Sequence, residues 1–89
     1  MIASEKLKTM TIELIKEVTS LCGIAKESEL DKKAEPLIAQ LIEEKFISTN
    51  DAFVEWAGVF EFNLIAVCHY KDGKQTWIQL YNNGVVEIF

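Results

Sequence analysis

His69 follows Cys68 directly, and a thiol beside an imidazole is the residue pair of nucleophilic catalysis. The pair works only when both side chains converge within hydrogen-bond reach. Here the two sit in an apolar run, VFEFNLIAVCHY, that reads as a β-strand, and neighbours along a strand point to opposite faces. The adjacency therefore argues against a Cys–His nucleophile, and His69 is expected near a hairpin end, partly in solvent. Paired carboxylates could do acid–base chemistry at Glu43 with Glu44 or at Asp31 with Glu35. Glu29 and Lys33 share the second of these segments, and such mixed signs describe a solvated helix face.

Metal ligation fares no better, because one histidine, scattered carboxylates and two distant cysteines, Cys22 and Cys68, form no ligand spacing. Both cysteines are expected as buried free thiols, with a disulfide as the alternative in an oxidising compartment. The four glycines stand singly at element boundaries, so no phosphate-cradling loop is present. No catalytic residue, metal or cofactor is expected, and the chain reads as a non-enzyme. A small enzyme with an unrecognised carboxylate site is a rival that would need a concave polar pocket.

The chain has 89 residues, 49% of them apolar, which fits one domain with one modest core, helical over about 4–57 and sheet over about 59–89. Its net charge is −5, and all 9 basic residues are lysines, leaving no arginine to grip phosphate bidentately. Nucleic acid is thus not the expected partner. The polar start, MIASEKLKTM, lacks the apolar run of a signal peptide, and nowhere do roughly 18 apolar residues follow one another. A cytoplasmic protein without membrane contact is the expectation.

Residues 4–22 place Leu7, Met10, Leu14, Val18 and Leu21 at helical spacing, with Ile12 and Ile15 widening the stripe and Gly23 as the stop. A second amphipathic helix carries Leu30, Ala34, Leu37, Ile38 and Leu41, with Ser28 as expected N-cap and Asp31 at N3. Pro36 inside it predicts a kink or a division into two pieces. From Asn50, a short helix is expected, with Phe53, Trp56 and Ala57 on one side and Gly58 at its end; a strand over 52–57 is the alternative.

The last third predicts three antiparallel strands. Asp72-Gly73 suits a two-residue type I′ turn, which sets Lys71 against Lys74, Cys68 against Trp77, Val67 against Ile78 and Ile65 against Leu80. Asn82-Asn83-Gly84 suits a three-residue loop that sets Leu80 against Val86 and Ile78 against Ile88. Alternation then sorts the side chains. One face carries Ile65, Val67, Ile78, Leu80, Val86 and Ile88, and is expected beneath the helices. The other carries Phe60, Phe62, Leu64, Cys68, Tyr70, Trp77, Tyr81, Val85 and Phe89, with Gln79 facing Glu87. Helices over the aromatic face instead, or over both faces, remain open at this point.

The expected fold is α+β, with two to three N-terminal helices on one face of a C-terminal three-stranded antiparallel meander. An aromatic face with polar insertions resembles the centre of a protein interface. The expected function is a small acidic protein-binding module, of inhibitor or immunity type, using Phe60, Phe62, Tyr70, Trp77, Gln79, Tyr81, Glu87 and Phe89 on a protein partner. Alternatives are a subunit of a small homo-oligomer and a winged-helix-like transcriptional regulator. The regulator's recognition segment, Pro36 to Lys45, would carry Glu43 and Glu44 toward phosphate.

Overall fold

The structure, a computed structural model, describes residues 3–48 and 51–89. Helix α1 spans Glu5–Ser20. Its stripe goes inward as its spacing predicts, with Leu7, Leu14, Ile15 and Val18 buried. Ser4 caps it, the hydroxyl accepting from the Leu7 N–H at 3.1 Å, and Gly23 follows in the left-handed conformation at φ 75°. Helix α2 spans Glu27–Glu43 and buries Leu30, Ala34, Leu37 and Leu41. Its N-cap is Lys26, which makes no side-chain capping bond, so Ser28 lies inside the helix and is not its cap. Glu27 and Glu29 put negative charge on the first turn instead, where it complements the helix dipole. Pro36 does not divide α2. It is exposed, so the carbonyl of exposed Lys32 that its missing N–H leaves unbonded faces water.

The two helices are joined at several points along their length. Lys33 Nζ meets Glu17 Oε1 at 2.6 Å. At the other end, Glu44 accepts from the Ser4 hydroxyl at 2.7 Å and from Gln40 Nε2 at 2.6 Å. Burial works to raise the Glu44 pKa, but the bonds from Gln40 and Ser4 outweigh it and hold the carboxyl below its ordinary value. Ser4 thus caps one helix while tying it to the end of the other. Ser4→Ala is expected to cost about 1 kcal/mol of stability, read from urea denaturation. An unchanged midpoint would show that water replaces both bonds.

Four antiparallel strands follow in the order β1-β2-β3-β4: β1 Ala52–Glu55, β2 Leu64–Lys71, β3 Lys74–Tyr81 and β4 Val86–Ile88. The fourth strand corrects the short helix expected from Asn50. Residues 52–55 are extended and pair with β2, Phe53 opposite Cys68 and Glu55 opposite Ala66, while the proposed cap at Asn50 lies outside the described residues. A six-residue helix α3, Ala57–Phe62, comes next and ends at Asn63 in the left-handed conformation, φ 55°. Gly58 allows close approach here: a Cβ on it would lie 3.1 Å from Leu64 Cδ1.

The predicted registers of both later hairpins hold, Lys71 against Lys74 and Val67 against Ile78 in one, Leu80 against Val86 and Ile78 against Ile88 in the other. Asp72 at φ 52° and Gly73 at φ 76° supply the positive angles of the tight turn. The helices cover the aliphatic face, where Ile65, Val67, Ile78, Leu80 and Val86 join the helical stripes in one core. Ile88 is the exception at 47% exposed, since β4 ends at the rim. Trp56 is buried where β1 passes into α3, and its indole N–H donates to Asp31 Oδ1 at 2.8 Å, fixing this corner to α2.

Candidate functional site

The strand alternation that sends Val67 and Ile78 inward sends a grid of side chains outward. One row crosses three strands and meets the residue after the fourth: Phe53, Cys68 and Trp77 lie opposite one another, and the Phe89 N–H donates to the Trp77 carbonyl at 2.8 Å, which brings Phe89 alongside. Phe53 and Trp77 stand on strands two apart, yet their rings meet edge to face with centroids 6.3 Å apart. They close over Cys68, which is 0% exposed although it lies on the outer face. Burial, with the Asp51 charge second, pushes its thiol pKa up and so disfavours the thiolate.

The next row is polar, with Glu55, Ala66, Gln79 and Glu87 in register. Tyr81 bends back to it, donating its hydroxyl to Gln79 Oε1 at 2.7 Å. Partial burial raises the Tyr81 pKa, with the Glu87 carboxylate adding to the effect, so the phenol keeps its proton and its role as a donor. Tyr70 stands at the hairpin end, where its hydroxyl accepts from Gln75 Nε2 at 3.2 Å. Phe53, Tyr70 and Phe89 are 46%, 43% and 63% exposed.

Six of the eight residues expected to touch a partner therefore share this face: Tyr70, Trp77, Gln79, Tyr81, Glu87 and Phe89. Phe60 and Phe62 do not. They belong to α3, where positions two apart diverge around the helix, and Phe60 lines a pocket with Leu21, Leu30 and Trp56. Phe53 and Glu55 are absent from the expected outer face, because residues 52–57 read first as a helix and only alternatively as a strand. The alternation Phe53, Val54, Glu55 was the available signal.

His69 faces inward, opposite Ala52 and Thr76, and is only 4% exposed, which corrects the expectation of a partly solvated ring. Neither ring nitrogen has a hydrogen-bond partner among the described residues. Burial first, and the Lys71 ammonium second, lower its pKa from the ordinary 6.5. The unfolded chain therefore takes up this proton more readily than the folded one. Stability held by neutral His69 is complete above the unfolded value and is lost as pH falls from there toward the lowered folded value. Urea midpoints between about pH 7.5 and 5 are expected to drop more steeply for the native chain than for His69→Phe. Parallel curves for the two would refute this.

Cys22 is exposed and Cys68 buried, both unbridged, which corrects the expectation that both thiols are buried. Among the described residues, no group of three or more His, Cys, Asp or Glu side chains is placed to hold a metal ion. Among them, no helix is long and apolar enough to cross a membrane. No protein-family model, curated protein or solved structure matches the chain.

Proposed function

We propose that this chain is a small acidic protein-binding module, of the kind that neutralises or escorts a larger protein, and that it works through the outer face of its sheet. The observation that carries this reading is the half-exposed aromatic row of Phe53, Trp77 and Phe89 beside the Gln79–Tyr81–Glu87 polar row, on the face opposite the helices. Rigid aromatic rings next to a few oriented polar groups are how interfaces concentrate their energy. The face also holds Glu55 and Glu87 in one row, and the chain carries a net charge of −5, which favours a basic partner surface in diffusional encounter. The test is affinity capture by the native chain and by Trp77→Ala in parallel, with sedimentation of each alone. The reading requires a partner, or self-association, that is lost with Trp77; equal capture by the two proteins would overturn it.

A further inference from the structure

The backbone of β1 carries a second surface, which borders the outer face at Phe53. In an antiparallel ladder, residues alternate between aiming their N–H and C=O at one neighbouring strand and at the other. Trp77 and Tyr81 bond to Phe89 and Val85, so the odd-numbered residues of β3 serve β4 and its even-numbered residues serve β2. Through the β2 register, His69, Val67 and Ile65 return those bonds, while Cys68 and Ala66 turn to Phe53 and Glu55. Ala52 and Val54 are left with their N–H and C=O aimed away from the sheet, at its free edge. Among the described residues, no backbone bond is made to either from that side.

This edge is one wall of a groove of about 430 Å³, and α2 is the other. The Trp56–Asp31 bond fixes its polarity, with Asp31 beside the end of β1 and Ile38 and Ala39 further along toward its start. The lining therefore pairs a strip of unused hydrogen-bonding backbone with an apolar floor at one end. Two carboxylates, Asp31 and Glu35, stand at the other end, and among the described residues no cation lines the groove.

We propose that this groove binds an extended segment of a partner protein, added to the sheet as a fifth strand beside β1. The segment seats an apolar side chain over Ile38 and Ala39 and, two residues along, a lysine or arginine toward Glu35 and Asp31. Main-chain bonds to Ala52 and Val54 supply affinity without regard to sequence, and the two inward side chains supply selection. A second copy of this chain is disfavoured as occupant. Each copy carries a net charge of −5, and among the described residues neither groove lining offers a cation to meet the other's carboxylates.

The test is an NMR titration of the isotopically labelled chain with end-capped hexapeptides of valine and threonine. One bears a single lysine, one a glutamate in its place, and one is the lysine peptide with an N-methylated central valine. The lysine peptide is expected to shift residues 31–39 and 52–55, and to slow amide exchange at Ala52 and Val54. The glutamate peptide should bind about tenfold more weakly, and Glu35→Lys, at an exposed position, should reverse that order. N-methylation should abolish binding. Equal affinity for the lysine and glutamate peptides, shifts centred on Trp77, no binding up to millimolar peptide, or a dimer that Ala52→Pro disperses would each overturn the proposal.

Discussion

Ile78→Ala is expected to destabilise the fold by about 2–5 kcal/mol, the range for a large aliphatic side chain cut back in a packed core. Ile78 is 0% exposed, lies between Val67 and Ile88 on its neighbouring strands, and sits in the face that the helices cover. The void left by its missing carbons is closed in by strands on both sides and helices above, so little of it can collapse. Against the roughly 5–15 kcal/mol that holds a small domain folded, the loss is large. Urea denaturation should show a lower midpoint with an unchanged slope.

Trp77→Ala reverses the balance between stability and recognition. Truncating an aromatic anchor at the centre of an interface costs about 2 kcal/mol or more of binding, roughly thirtyfold or more in affinity. Its cost in folding is smaller than that of Ile78→Ala, because Trp77 is only partly buried and lies outside the core. It is not zero, since the contact with Phe53 is lost and Cys68 is uncovered. That gives a second readout. Cys22 should react with a thiol reagent at once in both proteins, whereas Cys68 should react appreciably faster in Trp77→Ala than in the native chain. If Trp77→Ala unfolds as readily as Ile78→Ala, the outer face is part of the core and the proposed function fails.

Much of the sheet could be read from turn chemistry alone. Asp72-Gly73 and Gly84 adopt the positive angles their residue types favour, and two fixed turns determine which side chains share a face. β1 was illegible for the opposite reason. It is four residues long, has no tight turn of its own, and pairs with β2 only after α3 has intervened, so the short alternation Phe53, Val54, Glu55 is a weak local mark of an extended segment. α3 was concealed by coincidence, because Phe60, Phe62 and Leu64 repeat at the period of a strand while the first two lie in a helix. Asn63, a residue that tolerates the left-handed region, was the boundary signal between them. The inward turn of His69 followed from the strand register, but its burial did not, since that depends in part on β1, which sets Ala52 beside it. Of the candidate site, the residues of β2, β3 and β4 were legible through the same two turns, and Phe53 was lost together with its strand.

Neighbouring strands in space are also neighbours in sequence throughout this sheet, β1 to β2 to β3 to β4. Each pairing closes a short loop, and the entropy of closure grows only slowly with loop length. The sheet can therefore assemble by zipping, one hairpin templating the next strand, which is the low-contact-order route of rapid folders. The bond from the Ala3 N–H to the Gly84 carbonyl, at 3.0 Å, is of another kind, because it joins opposite ends of the chain. It can form only after β3 and its following turn are in place, and it then joins buried Leu7 and the Ser4–Glu44 bond in holding the start of α1 to the rest of the fold.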